Sequence, residues 1–147
     1  WKIHPQMNLL SFIPFLSLAC AYDTLRPGAM YISKLVGIPS HQGLEAEETR
    51  VLASRKRTSF HYDANGSLKL ADEDKYLSIT EEGKLVLANT PHFGFELKAI
   101  DGLTTMRSMN YNGTNLFELC GDNLVGFRSK CEGAERAVIT FEDIISQ

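Results

Sequence analysis

Two Asn-x-Ser/Thr triplets, Asn65-Gly66-Ser67 and Asn112-Gly113-Thr114, carry the clearest chemistry in this sequence: each is an acceptor for an N-linked glycan. A third candidate, Asn89-Thr90-Pro91, fails because proline stands where the hydroxyl residue belongs. Both valid triplets contain Asn-Gly, the dipeptide that supplies the positive φ of tight hairpin turns. Both acceptors are therefore expected on exposed hairpin tips, where an enzyme can reach them.

Cysteine gives the second chemistry. Cys20 lies in an apolar N-terminal run, which leaves Cys120 and Cys131 as an even pair. In an oxidising compartment such a pair bonds, and closing so short a loop contributes roughly 2–3 kcal/mol on the chain-entropy account. In a reducing compartment the same residues would be two free thiols. Two cysteines without a nearby histidine offer too few ligands for a metal, and His41, His61 and His92 show no ligand spacing. No metal and no cofactor are expected.

A third feature is Arg55-Lys56-Arg57. A kexin-like protease cutting after Lys56-Arg57 would release Thr58 to Gln147, while the bland reading is a solvated basic loop.

Catalysis finds little to work with. A glycosidase needs two carboxylates at a fixed separation, one of them held protonated. Asp63, Asp72, Glu73, Asp74, Glu81, Glu82 and Asp101 fall instead at expected hairpin tips, where water solvates them. No Gly-x-Ser-x-Gly elbow marks a serine hydrolase. The expectation is a non-enzyme, with a glycan-active hydrolase as one alternative. Another alternative is a lectin-like module, in which an exposed ring stacks on a sugar beside polar groups. Tyr111 with Asp122 and Asn123 is the best candidate, and Tyr62, Tyr76 and His92 could also serve. The only Trp lies at position 1.

These residues need a scaffold, and the stretch Phe60 to Gly102 describes one. Turns at Asn65-Gly66, Glu82-Gly83 and Asp101-Gly102 separate alternating apolar and polar runs at Phe60–Tyr62, Ser67–Leu70, Tyr76–Ile79, Lys84–Leu87 and Phe93–Leu97. Such alternation places one face of each strand against a core. Leu44 to Ala53 is more ambiguous, since its glutamates allow a short helical turn before Arg50-Val51-Leu52 returns to strand character. A faint echo links Tyr31-Ile32-Ser33-Lys34, Tyr76-Leu77-Ser78-Ile79 and Leu124-Val125-Gly126-Phe127 at intervals of about 45 residues. Three such units suggest an all-β, β-trefoil-like barrel of hairpins, with a β-sandwich as the alternative.

The N-terminus carries a different signal. Leu9 to Leu18 is apolar but too short to span a bilayer, and Ala19-Cys20-Ala21 supplies a small-x-small cleavage motif. Residues 7–21 thus read as a secretory signal peptide, residues 1–6 as leader or cloning-derived sequence, and residues 22–147 as a single β domain. The alternative is a buried strand or an anchor helix. The 147-residue chain has a formal net charge of −3 with scattered basic residues, which gives no electrostatic reason to seek nucleic acid.

The run from Phe60 through Asp72-Glu73-Asp74-Lys75-Tyr76, then Glu81-Glu82-Gly83-Lys84-Leu85 and Gly94-Phe95-Glu96-Leu97-Lys98, resembles the ectodomain of fungal cell-wall mannoproteins. The similarity extends through Asn110-Tyr111 and Phe117 toward Ala137-Val138-Ile139. The resemblance implies a secreted, glycosylated, non-catalytic wall protein bound among glucan and mannan, and the chain is expected to be a monomer. Members of that family usually continue into a Ser/Thr-rich stalk and a tail for glycolipid attachment. Here the sequence given ends at Ile144-Ile145-Ser146-Gln147, so the expectation is either a truncated product or a protein released without covalent attachment.

Overall fold

The computed structural model describes residues 25–144, and these are 60% strand with no helix. The expected leader and signal peptide, residues 1–6 and 7–21, lie outside the described residues. The strands are β1 (Leu25–Leu35), β2 (Ile38–Glu47), β3 (Arg50–Ser54), β4 (Ser59–Asp63), β5 (Ser67–Leu70), β6 (Tyr76–Ile79), β7 (Leu85–Ala88), β8 (Phe95–Ala99), β9 (Met106–Tyr111), β10 (Phe117–Leu119), β11 (Val125–Phe127) and β12 (Glu135–Asp143).

All pairings are antiparallel, and a seven-strand ring, β1-β2-β3-β7-β6-β5-β4, closes back onto β1. Closure removes the open sheet edges that would otherwise template aggregation. A second circuit defines the architecture further. β1 pairs with β4, β4 with β5, β8 with β9, β9 with β12, and β12 with β1. The remaining step is bridged by Phe95 N donating to Gly66 O at 3.0 Å. The other six strands form the hairpins β2–β3, β6–β7 and β10–β11, which meet where Arg50 faces Val86, Leu52 faces Leu124 and Lys84 faces Gly126. A barrel circuit capped by three mutually touching hairpins is the β-trefoil plan.

The core follows the period-two pattern. Leu85 and Leu87 on β7, and Ala137, Ile139 and Phe141 on β12, point inward between half-buried or exposed neighbours, except that Thr140 between Ile139 and Phe141 is itself buried. Met30, Ile32, Phe60, Leu68, Phe95 and Met109 complete the barrel interior, and Leu44, Val51, Leu77, Phe117 and Val125 come from the capping hairpins. Burying each large apolar side chain contributes about 1.5–3 kcal/mol. Gly28 has no room for a side chain, because a Cβ there would stand 2.2 Å from the Phe141 ring.

Two expectations about local structure are corrected. Leu44 to Ala53 forms no helical turn: β2 and β3 pair from Gly43 opposite Ser54 to Glu47 opposite Arg50, around a tight turn at Glu48-Thr49. Cross-strand pairing and the burial of Leu44, Val51 and Ala53 outweigh the helix preference of the glutamates. The threefold plan is present, but the three echoing segments do not mark it. They fall on β1, β6 and the start of β11, which occupy different places within their units.

Candidate functional site

Both sequon asparagines are exposed on turns. Asn65 sits in the loop Ala64-Asn65-Gly66, closed by Gly66 N donating to Asp63 O at 2.8 Å. Its Oδ1 accepts from Ser67 N at 3.2 Å and from Ser67 Oγ at 2.9 Å, which fixes the side chain through its oxygen. Asn112 and Gly113 have φ of 49° and 84° and form a two-residue turn. Tyr111 and Thr114 close it with reciprocal backbone bonds of 2.7 and 3.1 Å. Positive φ at both central residues is what a type I′ turn requires, and Asn-Gly meets it with least strain.

The two turns are neighbours although 47 positions of chain order separate Asn65 from Asn112. Phe95 N donates to Gly66 O, and Asn112 N donates to Gly94 O at 2.9 Å. Consecutive residues thus tie both acceptor turns to one end of the barrel.

Of the rings named for sugar stacking, Tyr111, His92 and Tyr62 are engaged in the fold, and Tyr76 is half-buried on β6. Tyr111 is half-buried in an aromatic cluster, stacked on His92 at 5.6 Å between centroids and in contact with Phe95 and Phe127 at 5.0 Å each. Phe127 in turn meets Phe117 edge-on at 5.1 Å. Burial pushes the His92 imidazole below its ordinary pKa. Tyr62 donates its hydroxyl to Phe95 O at 3.1 Å, and burial raises its phenol.

Asp122 and Asn123 lie at the far end of the β10–β11 hairpin, whose base is the Phe117–Phe127 pair beside Tyr111. Asn123 Nδ2 donates to Ala53 O at 2.6 Å while Asn123 O accepts from Ala53 N, so this side chain ties two capping hairpins together. Asp122 Oδ1 accepts from Leu124 N at 3.2 Å. No hydrogen bond or ring contact joins Tyr111 to Asp122 or Asn123 among the described residues. Asp122 instead borders an open hollow lined by Cys120, Gly121, Cys131, Glu132 and Gly133, a wall without an aromatic ring.

Cys120 and Cys131 form a disulfide, with 5.8 Å between their Cα atoms. The bond fastens the end of β10 to the segment leading into β12, and Gly121 N donating to Glu132 O at 2.9 Å reinforces it. Glu118 adds a local anchor by accepting from Ser129 N at 2.6 Å.

The dibasic segment is not a free loop. Arg57 carries its guanidinium 4.1 Å from the centroid of the buried Tyr31 ring, and its Nη1 donates to Glu142 at 2.8 Å. Sequence reasoning missed this clamp and the His92–Tyr111 cluster. Their partners lie tens of residues apart, and only the barrel's pairing of β1 with both β4 and β12 brings Tyr31, Arg57 and Glu142 together.

Asp72, Glu73, Asp74, Glu81, Glu82 and Asp101 are exposed, and Asp63 is half-buried at the end of β4. Among the described residues no three His, Cys, Asp or Glu side chains are grouped to hold a metal ion. No helix there is long and apolar enough to cross a membrane. Comparisons with family models, curated proteins and solved structures found no match for this chain.

Proposed function

We propose that this chain is a secreted, non-catalytic structural glycoprotein of a fungal cell wall, a compact domain that carries N-glycans into the glucan and mannan matrix. One observation carries the reading. Both sequons occupy exposed turns at one end of a closed, disulfide-tied barrel, fastened to the consecutive residues Gly94 and Phe95. Glycans there would be displayed together, adding hydrated bulk on one side and leaving the rest of the surface bare. The barrel and its disulfide suit a protein that must stay folded outside the cell, because the seven-strand ring is closed on itself and the bond fastens the end of β10 to the segment before β12.

In this role the domain works as a monomer, and any contact with wall polysaccharide is made through its glycans rather than through a sugar-binding groove. The packing of Tyr111 and the structural bonds of Asn123 favour this over the lectin reading. The test is endoglycosidase treatment of the secreted protein beside Asn65→Gln and Asn112→Gln variants. Each variant should lose one glycan's mass and the double variant both. A wild-type band that endoglycosidase leaves unmoved would remove the proposed role.

A further inference from the structure

The segment after β3 crosses over β2 as a strap. Lys56 N donates to Ser54 Oγ at 3.1 Å, and Thr58 N donates to Leu44 O at 3.0 Å. Ala46 N donates to Thr58 Oγ1 at 2.8 Å, which pins the far side of the Arg57–Thr58 peptide bond. Beneath the strap lies Gly43, where a Cβ would stand 2.2 Å from Lys56 O and 2.7 Å from Arg57 Cγ. The strap can lie this close only because position 43 has no side chain.

Side-chain contacts complete the hold. The Arg57 guanidinium rests on the Tyr31 ring and is ion-paired with Glu142, leaving its side chain 32% exposed. Lys56 and Arg55 are exposed and pair with no carboxylate among the described residues. Arg57 is exposed as well, but of the doublet only the arginine has its charged group engaged.

We infer that Lys56-Arg57 is a latent endoproteolytic site, closed in the folded domain by the Arg57 clamp and opened only when the strap lifts from Gly43 and Tyr31. A serine endoprotease specific for Lys-Arg must take the whole Arg57 side chain into its primary pocket and draw several flanking residues into an extended strand. Neither is available while Tyr31, Glu142 and Leu44 hold the segment, so cleavage waits on local opening. The reaction is hydrolysis: water adds across the Arg57–Thr58 bond, leaving a carboxylate on Arg57 and an ammonium on Thr58. Cys120 and Cys131 both lie after the cut, so their disulfide does not join the two products. The pairing of β1 with β4 and with β12 would still hold them together until denaturation.

The experiment compares three substrates of a Lys-Arg-specific serine endoprotease: the folded chain, its Glu142→Gln variant, and a synthetic peptide covering residues 53–61. Intact mass follows the rate at which the fragment beginning at Thr58 appears. The peptide should be cut readily and the folded chain at least about 100-fold more slowly, as cleavage through a rarely opened state requires. Glu142→Gln, a change at a partly exposed surface residue, should raise the rate by about threefold to tenfold. Circular dichroism checks that the variant keeps its fold. A folded chain cut within about tenfold of the peptide's rate would overturn the inference, since the site would then be open rather than latent. An uncut peptide would overturn it by showing no site. Unchanged cleavage of folded Glu142→Gln would overturn the clamp as the gate.

Discussion

His92 Nε2 lies 2.7 Å from the Tyr111 hydroxyl, and the two rings stack with an interplanar angle of 22°. The other ring nitrogen, Nδ1, is 3.2 Å from Ser78 Oγ. One imidazole thus joins β6, the segment before β8, and β9, while occupying the ring that could otherwise have stacked on a sugar.

That position makes stability depend on pH. Burial lowers the folded-state pKa of His92 below the 6.5 of an unfolded histidine. Above 6.5 the contribution is fully present. As pH falls below 6.5 the unfolded chain takes up a proton that the folded chain resists, and stability is lost until the folded pKa is passed. Urea midpoints should fall between pH 7.5 and 5.5, and His92→Phe should flatten that slope. A variant with the wild-type slope would place the pH dependence elsewhere.

Val36 holds φ of 49° and is 57% exposed, followed by Gly37 at 76°. A β-branched residue in the left-handed region is strained by roughly 1–2 kcal/mol. Asparagine suits the same turn position, so Val36→Asn should raise stability by about 1 kcal/mol. Chemical denaturation checks this, and a fall in the midpoint would show that the Val36 side chain contributes packing that outweighs its strain.

Gly28 and Phe141 are coupled by contact. Gly28→Ala should cost about 1–3 kcal/mol by overpacking, and Phe141→Leu should relieve part of that cost by withdrawing the ring. Additive effects in the double-mutant cycle would contradict the contact.

Removing the disulfide as Cys120→Ala with Cys131→Ala should destabilise the domain by about 2–3 kcal/mol without changing its all-β circular dichroism. Loss of the β signal would mean that the barrel depends on the bond for its fold.

The strands and turns from Phe60 to Gly102 were legible because alternation and X-Gly dipeptides are local signals. Ser67–Leu70 and Tyr76–Ile79 match β5 and β6 to the residue. β8 begins at Phe95 rather than Phe93, whose ring is 55% exposed, because Gly94 at φ 117° turns the chain just before pairing starts. The disulfide was legible as an even pair. The aromatic cluster around Tyr111, the Asn123 tie and the Arg57 clamp were not, since each joins strands distant in sequence and depends on how the barrel closes.

The central claim concerns the two acceptor turns, and intact mass of the protein secreted by its native cell tests it most directly. The account predicts a chain beginning at Tyr22, with the Cys120–Cys131 bond intact and two endoglycosidase-sensitive glycans at Asn65 and Asn112. An unmodified polypeptide mass, or one that still includes residues 7–21, would contradict it.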